Sequence, residues 1–158
     1  MWETIVDLPH EDATAALGRR LALVRRIGDV IALVGPLGAG KSSLARAYIE
    51  AATGEPNAPS PTFGLAHLYE APDATIHHFD LFRLERTEEI DELGLEDALE
   101  DGVCLVEWPE RIVDRLPPTT LIVNIAIDGP GRRAVLRGDE TWRDRLNAVN
   151  APAMGDPQ

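Results

Sequence analysis

Residues 35–43 read GPLGAGKSS and satisfy the spacing G-x-x-x-x-G-K-[ST]. Such a run holds phosphate in one local setting only, between a buried strand and the first turn of a helix. There the backbone N–H groups turn inward around an anion, and the helix dipole and its unpaired amides favour negative charge. The flanks supply that setting. VIALV (30–34) is a continuous apolar run, as a strand covered on both faces requires. KSSLARAYIEAA (41–52) reads as a helix stopped by Gly54 and Pro56. The chain has 14 arginines and a single lysine, and that lysine is Lys41. A compact ammonium suits the terminal phosphates at this point of the loop, where arginine's planar fork does not fit.

The rest of the chain alternates between strand and helix signals, which predicts an α/β fold. TIVDLP (4–9) reads as a short strand, and Ala13, Ala16, Leu17, Leu21 and Val24 recur at helical spacing between Glu11 and Arg26. Residues 60–71 and 74–84 read as an antiparallel pair around the turn Pro72-Asp73. Residues 87–101 suggest one or two short acidic helices, and GVCLVEW (102–108) another buried strand. TTLIVNIAI (119–127) and RRAVLRG (132–138) form an expected hairpin, and 141–149 a last helix. The expected organisation is one domain over 1–149 with a disordered tail over 150–158.

Charge and cysteine content narrow the function. The net charge of −12 argues against a stand-alone nucleic-acid binder, which needs basic patches to displace counterions. Residues 85–110 alone carry 11 acidic and one basic side chain. That stretch is either a solvated face or a docking surface for a basic partner. The one cysteine, Cys104, excludes an internal disulfide and reads as buried filler. No apolar stretch approaches the ~20 residues of a membrane span. The N-terminus lacks the basic and apolar regions of a signal peptide, so a cytoplasmic location is expected.

At the loop, Gly38 and Gly40 permit close backbone approach, and Gly35, Leu37, Ala39 and Ser43 complete the cradle. Lys41 is expected to reach the β and γ phosphates and the Ser42 hydroxyl to ligate Mg²⁺. A magnesium-nucleotide site also needs acidic groups at the carboxyl ends of neighbouring strands. Asp80, after Phe79, and Glu107, after VCLV, fit. One would hold the metal and the other orient the attacking water, and the sequence leaves open which. Ser60 and Thr62, in SPTF, either line a loop that senses the γ-phosphate or form an ordinary turn. His77 and His78 are adjacent in a strand and point to opposite faces, so one is expected to be buried and bonded and the other exposed. Trp108 either covers the nucleotide or packs.

GPLGAGKSS, SPTF, HFDLFRL and VEWPE occur in this order, preceded by EDATAALGRRLA. Together they resemble the bacterial tRNA threonylcarbamoyladenosine biosynthesis ATPases, the TsaE family. The likeness runs from about Leu8 to Glu110, with further support in GRRAVL. It implies a small three-layer phosphate-loop fold whose mixed sheet has an antiparallel portion. It implies ATP as substrate, Mg²⁺ as cofactor, and an accessory role to the transferase pair TsaB and TsaD, with tRNA reached only through that complex. It assigns Lys41 and Ser42 to phosphate and Mg²⁺, Asp80 and Glu107 to the metal and water, and Trp108 to the site's edge. Ser60 and Thr62 become a switch-like segment, and Glu11, Thr14 and Arg133 come near the adenosine. Pro36, Ser42, Ser43 and Phe82 depart from the family's usual residues, and serine keeps the hydroxyl the metal needs.

Two other classes compete. A small-molecule kinase shares the loop, but such enzymes carry an arginine-rich lid, and no arginine falls between Arg46 and Arg83. A regulatory subunit that binds nucleotide with little turnover is the other. A GTPase is disfavoured because the chain has no N-K-x-D guanine-reading motif.

Overall fold

The structure is a computed structural model that describes residues 1–56 and 65–154, with side chains described as far as residue 148. Ser60 and Thr62 lie outside the described residues, as does the end of the expected tail.

β1 (Trp2–Leu8), β2 (Val30–Val34), β3 (Ala66–Glu70), β4 (Thr75–Asp80), β5 (Gly102–Glu107), β6 (Leu121–Asp128) and β7 (Gly131–Gly138) form one sheet in the order β1-β7-β6-β2-β5-β4-β3. β6, β2, β5 and β4 run parallel, β3 is antiparallel to β4, and β7 is antiparallel to both β6 and β1. The antiparallel portion is therefore present at both edges around a parallel centre.

The central strands are buried on both faces, which is why they read as unbroken apolar runs. Ile31, Leu33, Ile76, Val103 and Leu105 pack under α1 (Glu11–Leu23), α2 (Lys41–Thr53) and α5 (Glu140–Met154). Val30, Phe79, Cys104 and Val106 pack on the other face against α3 (Glu89–Glu92), α4 (Leu95–Asp101) and the 3-10 helix Pro109–Arg115. Burial pushes the Cys104 thiol up to about 12, consistent with filler. The three layers cover the centre of the sheet only. On the β1-β7-β6 wing the outer face is open, and Ile5, Ile122 and Asn124 are exposed there.

Two close fits fix the helices that matter for the loop. α1 lies so near α2 that a Cβ on Gly18 would stand 2.4 Å from the Leu44 carbonyl oxygen. A buried pair ties α5 to the start of β2: Arg145 donates to Asp29 at 3.0 and 2.5 Å and to the Val24 carbonyl at 2.5 Å. α5 runs from Glu140 to Met154.

The acidic stretch is partly self-satisfied. Glu89 accepts from the Glu85 and Arg86 N–H groups at 2.8 and 2.7 Å, which holds its carboxyl below the usual range. Arg115 donates to Asp91 at 2.7 Å, and Asp101 meets His77 at 3.1 Å.

Candidate nucleotide site

β2 delivers the chain into the glycine loop at the carboxyl edge of the parallel strands, and α2 starts directly after it. Gly40 occupies the position before the first helical residue with φ 109°, a left-handed conformation that L side chains rarely adopt. Having no side chain, it cannot cap α2, so the first amides stay available to an anion. No acidic residue lies in the first turn of α2 to compete for that place.

A cavity of about 570 Å³ opens over the loop. That is within the roughly 300–1,000 Å³ common for small-molecule sites. Leu37 to Ser43, Asp80, Glu107 and Trp108 line it, as do Glu11 and Thr14 from α1. Thr14 is buried against Gly40, and Glu11 accepts from the Ser43 hydroxyl at 3.2 Å. The start of α1 thus backs the loop.

Asp80 and Glu107 stand in register at the ends of adjacent parallel strands. Glu107 is 3% exposed, and the Ser42 hydroxyl donates toward its two oxygens at 3.3 and 3.5 Å. Asp80 is less buried, and its Oδ1 accepts from the Phe82 N–H at 3.2 Å. Lys41 folds back over the loop. Its Nζ donates to the Gly35 carbonyl at 2.6 Å and sits 3.5 Å from the centre of the Trp108 ring. Burial lowers the Lys41 pKa, and the nearby carboxylates of Glu107, Glu110 and Asp80 oppose that shift. Trp108 has φ 60°, the one positive φ outside glycine among the described residues, and its ring tilts against Phe82 at 4.9 Å between centres.

Three features differ from the sequence-based expectations. Arg133 does not face the cavity. Alternation along β7 puts it on the open wing beside Asp7 and Asp128, at 3.5 and 3.3 Å. Its neighbour Arg132 lines the cavity instead and donates to the Gly38 carbonyl at 3.1 Å. Both histidines of β4 are buried, not one. His77 pairs with Asp101, whereas His78 is 1% exposed and its Nε2 lies 2.7 Å from Glu107 Oε2. Strand alternation gave the opposite faces correctly. It missed burial because both faces of β4 are covered. Phe82, noted only as a departure, also lines the cavity, as do Pro130 of the β6–β7 turn and Gly131 at the start of β7.

The oxygen donors fit Mg²⁺. That ion takes one or two protein ligands beside waters and phosphates and needs no all-protein cage. Among the described residues no group of three His, Cys, Asp or Glu side chains forms such a cage. A hydroxyl and a carboxylate beside a phosphate cradle are the set it uses.

Parallel centre, glycine loop and strand-end acids define a phosphate-loop nucleotide-binding protein. The family model for "Threonylcarbamoyl adenosine biosynthesis protein TsaE" matches residues 8–135, and the chain belongs to that family. It is 40% identical over 127 residues to the tRNA threonylcarbamoyladenosine biosynthesis protein TsaE of Rickettsia felis, covering 80% of this chain and 74% of that one. It is 38% identical over 124 residues to the Haemophilus influenzae protein of the same name, covering 75% of this chain and 78% of that one. The crystal structure of Bacillus subtilis YdiB superposes with a TM-score of 0.78 at 22% identity, over 96% of this chain and 97% of that one, which supports the fold. Family membership displaces the small-molecule kinase reading. No described helix is long and apolar enough to cross a membrane.

Proposed function

We propose that this chain binds ATP with Mg²⁺ in the loop cavity and hydrolyses it as an accessory protein of tRNA threonylcarbamoyladenosine biosynthesis. It acts on the transferase pair of the TsaB and TsaD families and does not perform the transfer. The pathway rests on the family match over residues 8–135. The chemistry rests on one observation above the others: the Ser42 hydroxyl at the head of α2 meets the buried Glu107 carboxylate.

In this reading the loop amides and Lys41 hold the phosphates, with Gly35 and Trp108 released as the Lys41 ammonium turns to the ligand. Ser42 and Glu107 hold Mg²⁺, which neutralises charge that develops on the phosphate oxygens. Asp80, more open to the cavity, orients water. Arg132, Glu11 and Thr14 lie where the rest of the nucleotide would sit, and Ser60 and Thr62 supply a segment that responds to the γ-phosphate. tRNA is reached through the complex, in the cytoplasm. The exposed acidic residues of 85–101 that make no internal pair form the protein-facing surface, in keeping with a net charge that disfavours direct RNA contact.

The test is reconstitution. The transferase pair, tRNA, threonylcarbamoyl-adenylate and ATP are combined, and modified tRNAs per complex are counted with and without this chain. The wild-type chain is expected to convert a single turnover into many, and Lys41→Ala to abolish that gain. Equal counts with wild type and variant would overturn the proposal.

A further inference from the structure

We infer that His78 is a positioning residue that holds the Glu107 carboxylate in the orientation Ser42 and the metal require; this rests on the metal-nucleotide reading of the site. His78 and Glu107 project from adjacent strands toward α2, two steps apart on the same face of the sheet. Both are almost fully buried, and Nε2 stands 2.7 Å from Oε2. An ionised carboxylate only accepts, so Nε2 carries the proton of this bond. Nδ1 has no hydrogen-bond partner among the described residues.

A half-satisfied imidazole is a costly group to keep at a position flanked in the sheet by Ile76 and Leu105. An aliphatic side chain would pack there without polar atoms. Among the described residues, the one side-chain bond His78 makes is directed at the site. That bond has a physical use. The terminal torsion of a glutamate is broad and roughly two-fold, so a free carboxylate swings. With Oε2 held from inside the sheet by a charge-assisted bond, Oε1 is left toward Ser42, 3.3 Å away. The metal then meets a carboxylate already turned to it, as ligands oriented by outer partners generally are.

Gln and Asn substitutions separate positioning from packing. The amide nitrogen of His78→Gln falls near the place of Nε2, whereas that of His78→Asn falls near Nδ1 and stops short of Glu107. Mn²⁺ is titrated into each protein with bound ADP and free Mn²⁺ is counted by electron paramagnetic resonance. Nucleotide affinity is measured separately in EDTA, and folding by thermal melts. His78→Asn is expected to weaken Mn²⁺ binding about 10–100-fold, with His78→Gln within about fivefold of wild type and metal-free nucleotide affinity unchanged. Equal Mn²⁺ affinity in the two variants overturns the inference, because a packing role does not distinguish the place of the donor. A wild-type protein that binds ADP but takes up no Mn²⁺ overturns the metal reading itself, and the inference with it.

Discussion

Glu107 is the residue at which chemistry and stability can be pulled apart. Its carboxylate is buried between the Ser42 hydroxyl and the His78 imidazole. Glutamine there keeps the shape, its oxygen accepting from His78 and its NH₂ turned to Ser42. Alanine removes both oxygens and leaves the His78 N–H buried without an acceptor. Such an orphan costs about 1–3 kcal/mol. The lost methylene adds about 0.8 kcal/mol. Glu107→Ala should therefore destabilise the fold by about 2–4 kcal/mol. At roughly 2–4 °C per kcal/mol for a chain of this size, the melting temperature falls by about 5–15 °C. Glu107→Gln should melt within about 2 °C of wild type. Both should lower steady-state ATP hydrolysis about 10²–10⁴-fold, the usual cost of losing a positioned acid–base or metal-ligand group. Differential scanning calorimetry and a coupled phosphate-release assay read the two effects. An alanine variant as stable as wild type would refute the buried pair, and a glutamine variant hydrolysing within about threefold of wild type would refute the role of the charge.

Arg145→Ala leaves the Asp29 carboxylate buried with, among the described residues, the Arg26 N–H alone to satisfy it. It should cost about 3–5 kcal/mol in urea unfolding, while nucleotide affinity of the folded fraction stays the same. The lowered pKa of Lys41 makes nucleotide affinity fall on the alkaline side at a lower pH than an exposed lysine would give, since the ammonium is the binding form. Stability moves the other way: the unfolded lysine holds its proton more tightly, so folding gains as pH rises between the lowered and ordinary values. Lys41→Met should remove both trends, as read by nucleotide titration and melts across pH. Trp108→Gly should be more stable than Trp108→Ala by about 1 kcal/mol, because only glycine adopts the left-handed backbone there without penalty; an alanine variant that melts higher would show that the φ of 60° belongs to the indole ring and relaxes when it is lost.

Much of the fold is legible because its centre is parallel. Strands covered on both faces must be continuously apolar, and VIALV and GVCLV say so without ambiguity. Edges are less legible. β4 ends at Asp80, inside the stretch 74–84 that reads as a strand, because its pairing with β5 ends there. The open outer face of the β1-β7-β6 wing shows as alternating burial from Leu121 to Ala126, which the nearly continuous apolar run LIVNIA does not reveal. Local periodicity cannot say which helices are missing above it.

The site divides along the same line. Everything set by the loop itself, from Leu37 to Ser43, follows from spacing, and the strand-end acids follow from where apolar runs stop. What depends on register does not. Asp80 and Glu107 belong together because β4 and β5 pair as they do. The same register carries His78 to Glu107, a contact across 29 residues that no periodicity reveals. Arg132 and Arg133 make the point most sharply. Two adjacent arginines are equivalent as text, yet the pleat sends one to the Gly38 carbonyl and the other to Asp7 and Asp128. A slip of one residue between β6 and β7 would exchange them, so the turn Gly129-Pro130 that fixes this register also decides which guanidinium the cavity receives.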